Sequence, residues 1–124
     1  MKVFAALETF TDDRGVIKCL LPDDQHIHSV LYITGKAGAV RANHWHMKDT
    51  HYCYVLSGSI EYSYLTPGSS DVRSVTLVPG DVVFTPKKEV HKFTFLTDGV
   101  FVAMATEPRS SQESYESDTV RQNI

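Results

Sequence analysis

Short apolar segments, separated at close intervals by turn residues, dominate the chain from residue 29 onward. The segments are rich in β-branched and aromatic residues, and clusters of Gly, Pro, Ser and Asp lie between them, which is typical of β-strands. The predicted strands are residues 29–34, 52–56, 59–65, 72–78, 82–85, 91–96 and 100–106. No long stretch shows an apolar period of about 3.6 residues, so we expect few helices. The pattern predicts an all-β barrel or sandwich.

The composition changes at residue 107. Residues 107–124 are mostly Ser, Glu, Gln, Asp and Asn, with Tyr115 and Val120 as isolated apolar residues. We therefore predict one β-barrel domain over residues 1–106 and a polar C-terminal tail over residues 107–124. Two structures of the tail are compatible with this composition: a disordered end, or a strap laid across the barrel or a partner subunit.

Length, charge and cysteine content exclude several classes of protein. A chain of 124 residues has the size of one domain with one hydrophobic core. The net charge is -3 and the only basic cluster is the pair Lys87 and Lys88, which argues against nucleic-acid binding. No run is long enough for a transmembrane helix, the apolar start is too short for a signal peptide, and Cys19 and Cys53 form no metal-binding or redox spacing. We expect a reduced, cytoplasmic protein that does not associate with membranes.

Four histidines carry the candidate chemistry. His44 and His46 are two residues apart, so on a strand both side chains point to the same face. His51 follows after a short turn, and His91 can join them from a distant strand. Because neutral imidazoles are common ligands of zinc, copper, nickel and iron, the four residues predict a site for a divalent metal ion. Manganese is a further candidate, and the sequence does not choose among these metals.

Strand alternation also sorts the side chains near these histidines. It places Cys53 and Val55 on the face of His51 and Phe93 and Phe95 on the face of His91, with Tyr52 and Tyr54 on the opposite face. The metal would then lie at one end of an apolar pocket of the kind that binds small molecules. The second His-x-His pair, His26 and His28, has no further histidine at a useful distance and is predicted to lie on the surface.

The spacing around the first three histidines resembles the first signature motif of the cupin superfamily. That motif runs Gly, five residues, His-x-His, three or four residues, Glu, six residues, Gly. The chain has Gly38, five residues, His44 and His46, four residues, His51, six residues, and Gly58. His51 therefore stands where the family usually has a glutamate ligand.

A second segment resembles the second cupin motif, which runs Gly, five residues, Pro, x, Gly, two residues, His, three residues, Asn. The chain has Gly80, five residues, Pro86, then Lys88 at the position of the family's glycine, His91, and Phe95 at that of its asparagine. A left-handed turn conformation at a lysine would cost roughly 1 kcal/mol, which is tolerable.

The resemblance covers residues 38–95 and implies an all-β, single-domain cupin jelly-roll β-barrel with a metal held by His44, His46 and His91. For His51 three roles stay open: a fourth ligand, a base, or a hydrogen-bond partner of a ligand. As a ligand it would leave the metal with its full charge, because it replaces a carboxylate. Such a metal is a stronger Lewis acid than one bound by a carboxylate at this position.

Three shorter segments resemble cupins that modify sugar nucleotides, including the dTDP-4-keto-6-deoxyhexose isomerases and epimerases. They are residues 10–15, 41–46 and 117–121. In those enzymes an arginine contacts the substrate and a histidine moves a proton next to a ketone. The resemblance implies that Arg41 binds an anionic group and that His44 or His46 is the base. Arg14 and Arg41 have a structural alternative, in which one braces a turn and the other pairs with a carboxylate.

Metal ligation conflicts with a role as base, since a coordinated histidine cannot freely carry protons. If His44 and His46 bind a metal, the base must come from elsewhere, and the candidates are Tyr62, Tyr64 and Glu61. The metal would then stabilise an enediolate.

The function that follows is that of a metal-binding cupin with a four-histidine site, which isomerises or epimerises a keto-sugar of a nucleotide sugar. The alternatives are a metal-dependent dioxygenase and a non-catalytic cupin that binds a small molecule. We also expect a homodimer, because barrels of this size expose strand edges that can pair with a second copy.

Overall fold

The computed structural model describes residues 1–21 and 26–124. Almost every element in these residues is a strand, and the single helix has six residues, so the expectation of few helices is confirmed. The order along the chain is β1 (Lys2–Ala5), β2 (Leu7–Asp12), β3 (Gly15–Cys19), β4 (Ser29–Gly35), β5 (Val40–His46), β6 (His51–Ser57), β7 (Ile60–Leu65), β8 (Arg73–Leu77), β9 (Asp81–Thr85), β10 (Val90–Phe95), β11 (Gly99–Ala105), α1 (Gln112–Ser117) and β12 (Thr119–Arg121).

Two five-stranded antiparallel sheets form the fold. One has the strand order β1-β9-β6-β11-β4 and the other the order β12-β5-β10-β7-β8, while β2 and β3 form a separate hairpin. Most neighbours in each sheet are distant in sequence, as in a jelly roll. The predicted all-β jelly roll is confirmed, although in the described part of the chain the two sheets pack face to face and are not hydrogen-bonded into a closed barrel.

The main core lies between the sheets. Cys53 and Val55 of β6 and Phe93 and Phe95 of β10 belong to it, each at most 3% exposed, as strand alternation predicts. Tyr52 packs in a second apolar cluster, on the other face of its sheet. Each apolar side chain removed from water at these positions stabilises the fold by about 1.5–3 kcal/mol.

The turn between β9 and β10 keeps the glycine-like conformation that the cupin spacing implies. Lys88 has a φ of 67°, so the lysine adopts the left-handed conformation at a cost of about 1 kcal/mol. Its backbone N–H donates to the carbonyl oxygen of His46 at 2.8 Å. This bond ties the turn to the strand that carries the first two histidines.

Strand β5 is irregular where it approaches the site. Ala42 and Asn43 have φ angles of 65° and 63°, and the register between β5 and β10 shifts between His91 and Lys92. Such a bulge bends a strand and redirects the side chains beside it. The irregularity lies immediately before His44.

The polar tail is ordered as a strap across the chain's own sheet, one of the two alternatives that its composition left open. Ser111 caps α1 by accepting a hydrogen bond from the N–H of Ser114 at 3.1 Å. Strand β12 then pairs with β5, with Thr119 opposite His46 and Arg121 opposite His44. The division into a domain of residues 1–106 and a tail of residues 107–124 stays a prediction. Within the described residues, no helix has the length and apolar character needed to cross a membrane.

Candidate functional site

Three strands bring the four histidines together. His44 and His46 come from β5, His51 begins β6, and His91 lies on β10 directly opposite His44. All four side chains are buried. The ring centroid of His44 lies 4.6 Å from that of His46 and 4.9 Å from that of His91. The ring centroids of His51 and His91 are 5.0 Å apart. The sequence-based prediction that these side chains converge is therefore met by the geometry.

Three of the histidines fit a metal ion. One ring nitrogen each of His44, His46 and His91 lies within 4.8 Å of the other two. In a tetrahedral site with metal–nitrogen bonds of about 2.0–2.1 Å these atoms are about 3.4 Å apart, so small side-chain movements suffice. His91 donates from Nδ1 to the carbonyl oxygen of Glu89 at 3.0 Å, which leaves the lone pair on Nε2. His51 belongs to a different group, with His46 and Asp49.

These three imidazoles are neutral at ordinary pH. Burial, reinforced by the electrostatic interaction with His51, lowers the pKa of His44 and of His46 to about 3. The same two causes hold the pKa of His91 well below its usual value. Neutral imidazole rings can donate lone pairs to a cation or accept hydrogen bonds. The three histidines are therefore chemically suited to bind a metal ion or to accept hydrogen bonds from a ligand.

His51 is paired with a buried carboxylate. Its Nδ1 donates to Oδ2 of Asp49 at 3.0 Å, and Asp49 is 1% exposed. Burial raises the pKa of Asp49, but the hydrogen bonds from His51 and Arg109 and the electrostatic interactions with these two residues outweigh it and hold the pKa below its usual range. Asp49 is therefore a carboxylate that fixes the orientation of the His51 ring. A histidine oriented in this way can act as a general base through its other nitrogen.

The tail supplies two further residues that the sequence analysis did not identify. Arg109 donates from Nη2 to Oδ2 of Asp49 at 2.5 Å and to Nε2 of His46 at 3.1 Å. The hydroxyl of Tyr115 lies 3.4 Å from Nδ1 of His44, and the guanidinium of Arg109 lies over the Tyr115 ring at 4.8 Å. The signal available in the sequence was slight: one aromatic residue and one cation in an otherwise polar segment.

Asp118 fastens the tail to the loop after β5. Its side-chain oxygens accept hydrogen bonds from the backbone N–H groups of Lys48 at 2.8 Å and Asp49 at 3.0 Å. Its carbonyl oxygen accepts from the N–H of Met47 at 3.0 Å. Because this loop carries Asp49, the tail holds the carboxylate that orients His51.

The histidines lie in a cavity of about 240 Å³ between the sheets. This volume is below the roughly 300–1,000 Å³ typical of sites for drug-sized ligands, and suits a single ring better than a whole nucleotide sugar. Apart from the four histidines the wall is formed by Leu31, Ile33, Arg41, Ala42, Cys53, Phe93, Phe101, Ala103, Arg109 and Tyr115. Apolar surfaces thus surround a small number of convergent polar groups.

The structure places the two arginines of the sugar-nucleotide resemblance differently. Arg41 lines the cavity, and its Nε and Nη2 donate to the carbonyl oxygen of Thr34 at 3.1 and 2.9 Å. Among residues 1–21 and 26–124 it therefore pairs with a backbone carbonyl and not with a carboxylate. Arg14 pairs with Asp12 in the hairpin turn at 2.6 Å, as in the structural alternative. The prediction that His26 and His28 lie on the surface is confirmed, since both residues are exposed.

The tyrosines considered as bases do not reach the cavity wall. Tyr62 is fully buried, and its hydroxyl lies 2.7 Å from that of Thr85 and 3.2 Å from a carboxylate oxygen of Glu89. Burial raises the pKa of Tyr62 well above its usual value. Tyr64 is half-buried and also absent from the lining. Both lie on β7, one strand beyond β10, so β10 separates them from β5.

Residues 31–106 match the cupin domain family. This match covers more than half of the chain, and the protein belongs to the cupin family, as its motif spacing implies. A search of curated protein sequences finds no match.

Several solved structures share the fold. The sugar 3,4-ketoisomerase QdtA from Thermoanaerobacterium thermosaccharolyticum, in complex with TDP, has a TM-score of 0.76 and 19% identity over 98% of this chain and 87% of that one. A 3,4-ketoisomerase from Helicobacter canadensis has a TM-score of 0.79 and 20% identity over 98% and 90%. The rmlC epimerase of Mycobacterium tuberculosis has a TM-score of 0.77 and 16% identity over 96% and 66%. At these identities the likeness establishes the fold.

Proposed function

We propose that the protein isomerises or epimerises a keto-sugar carried on a nucleotide, by moving a proton at a carbon next to the ketone. The observation that carries this proposal is the oriented pair of His51 and Asp49 in a small cavity with apolar walls. The fold shared with sugar 3,4-ketoisomerases and an epimerase supports the same reaction class. The cavity accommodates the sugar ring, and the nucleotide lies at its mouth.

The residues of the cavity have distinct roles in this reaction. His51 takes the proton from the carbon next to the ketone, and Asp49 stabilises the imidazolium that results. Tyr115, whose hydroxyl lies near His44, is a second proton-transfer group. In an isomerisation a proton returns to the former ketone carbon, while the hydroxyl proton of the deprotonated carbon passes to the former ketone oxygen. In an epimerisation the proton returns to the same carbon from the opposite face. Arg41 is suited to the anionic diphosphate, because it lines the cavity and is an exposed residue with a guanidinium group.

The test uses solvent deuterium. The protein is incubated in deuterated water with a panel of dTDP- and UDP-linked 4-keto sugars, with and without added divalent ions. We expect deuterium to enter one sugar at the carbon next to the ketone, as measured by mass spectrometry and NMR. If no sugar in the panel acquires deuterium, the proposal fails. Oxygen consumption would instead favour the dioxygenase alternative, and binding without exchange would favour a non-catalytic cupin.

We also propose that His44, His46 and His91 hold a divalent metal ion, with zinc, iron, nickel, manganese and copper as candidates. Bound there, the ion would take the place of Arg109 at Nε2 of His46 and, in that form of the protein, would itself polarise the ketone oxygen. Elemental analysis of freshly purified protein should find an ion that is lost in His44→Ala and kept in the matched surface variant His26→Ala. Equal metal content in all three proteins would contradict this assignment.

The expected homodimer stays a proposal. Strand β4 ends its sheet, and Val30 and Tyr32 on it are 66% and 70% exposed, so an unpaired edge lies beside an apolar surface. Light scattering should give about twice the mass of the 13.9 kDa chain. A mass near that of the single chain would refute the dimer.

A further inference from the structure

Arg109 is a buried cation whose position the fold controls closely. It lies in the segment between β11 and α1, its side chain is 10% exposed, and it lines the cavity that contains the four histidines. The ion pair with Asp49 fixes one edge of the guanidinium, and the ring of Tyr115 supports its flat face. A guanidinium held from two sides has lost most of its freedom before any ligand arrives.

Much of the hydrogen-bonding capacity of Arg109 is unused. A guanidinium has five N–H donors, and every hydrogen bond that Arg109 makes within the described chain uses Nη2. In the described part of the chain, every buried side-chain nitrogen or oxygen has a hydrogen-bond partner. Nε and Nη1 of Arg109 have no such partner, so both atoms are accessible. Their donors are therefore available to a ligand in the cavity.

Charge is scarce elsewhere on this wall. The other cation of the lining, Arg41, already donates to the carbonyl oxygen of Thr34. In a site with apolar walls, a fixed positive charge stabilises a developing negative charge much more than it would in water. The geometry favours a ligand with an electron-rich oxygen beside Arg109.

We propose that Arg109 is a catalytic residue that binds the carbonyl oxygen of the keto-sugar; the assignment rests on the proposed function. When His51 takes the proton from the neighbouring carbon, the electrons of the broken C–H bond form a C=C bond. The π electrons of the ketone move to its oxygen, and Arg109 stabilises the resulting enolate. Return of a proton to the same carbon regenerates the original C=O bond. In an isomerisation the proton goes to the former ketone carbon, and the neighbouring hydroxyl gives its proton to the former ketone oxygen and becomes the new C=O. Neither route needs an oxidant or co-reactant.

The hydrogen bond between Arg109 and His46 competes with the binding of a metal ion. Nε2 of His46 accepts from Arg109, and Nδ1 of His46 lies 3.2 Å from the hydroxyl of Thr119. Both nitrogens of His46 therefore have partners, and a metal can bind Nε2 only after Arg109 has moved away. Positive charge at this position then comes from Arg109 or from a metal, but not from both. Zinc affinity provides a readout that does not depend on turnover.

The experiment compares the unmodified protein with Arg109→Ala, Arg109→Lys and the exposed control Arg73→Ala, all assayed with EDTA on the keto-sugar that exchanges deuterium. We expect Arg109→Ala to lower kcat about 10²- to 10³-fold with little change in KM. Arg109→Lys should retain more activity, and added guanidinium ion should restore part of the activity of Arg109→Ala. Arg73→Ala should behave as the unmodified protein. Zinc should bind Arg109→Ala at least about tenfold more tightly than the unmodified protein, within the usual range of coupling between two sites.

Equal kcat values in the unmodified protein and Arg109→Ala would overturn the assignment and leave the proposed function intact. So would exchange that requires an added divalent ion, or unchanged zinc affinity in Arg109→Ala. A thermal melt shows whether each variant is folded, and rescue by guanidinium is a response that a purely structural arginine would not give. If the unmodified protein exchanges deuterium into no sugar of the panel, the proposed function itself fails, and the role of Arg109 fails with it.

Discussion

Replacing His51 with asparagine is expected to reduce kcat for deuterium exchange about 10³-fold, since a general base contributes roughly 10² to 10⁴. Asparagine has no basic nitrogen, but its amide N–H can still donate to Asp49, so the fold and the charge of Asp49 are preserved. The measurement is single-turnover exchange into the reactive keto-sugar, with the thermal melt as a test of folding.

The control for this variant is His26→Asn, a substitution of the same type at an exposed position. It should leave kcat unchanged. Metal content distinguishes two of the roles left open for His51: a base can be lost without loss of the ion at His44, His46 and His91, whereas a ligand cannot. Full activity in His51→Asn would exclude His51 as the base.

The largest effect on stability is expected for Gly58→Ala, in the turn between β6 and β7. Gly58 has a φ of 85°, and an added Cβ would collide with the carbonyl oxygen of Asp98 and approach Cα of Gly99 to 2.7 Å. Both are backbone atoms and cannot rotate away. A left-handed alanine costs about 1 kcal/mol and relief of the overlap adds about 1–3 kcal/mol, so unfolding should become easier by about 3 kcal/mol. Urea denaturation measures this difference.

Gly68→Ala separates the two contributions. Gly68 has nearly the same φ, 83°, but no atom of the described residues lies within 4 Å of its added Cβ. This variant should lose only the conformational part, about 1 kcal/mol. Comparable losses in the two variants would mean that the close approach of Gly58 to residues 98 and 99 contributes little.

Strands β4 and β6 to β11 and their inward faces were predictable because they depend on local alternation, whereas β1, β2, β3, β5 and β12 were not among the predicted segments. Cys53, Val55, Phe93 and Phe95 are buried as the period of two requires. Motif spacing predicted the convergence of the histidines, since turns of fixed length between paired strands determine which side chains meet. The same spacing anticipated the left-handed turn at Lys88, even though the residue there is not glycine.

The distance of a side chain from the cavity, and the contacts that the tail makes with the barrel strands, were not predictable from local alternation or motif spacing. Alternation assigns Tyr62 to a face, but its distance from the cavity depends on β10 lying between β7 and β5. Arg109 is 60 residues from Asp49 in sequence, and nothing local in a polar segment indicates such a partner. Asp49 itself resembles any acidic loop residue until Arg109 and His51 are seen beside it.

The way in which the tail is attached has a consequence for how relatives of this protein can diverge. No residue of α1 is buried, yet the segment that contains it carries Arg109 and Tyr115 into the cavity. Insertions and substitutions in such a segment leave the packed interior intact, while they reshape one wall of the pocket. Selectivity for different ligands of the cavity can therefore evolve in about the last seventh of the chain, at little expense in folding free energy and without change to the histidine strands.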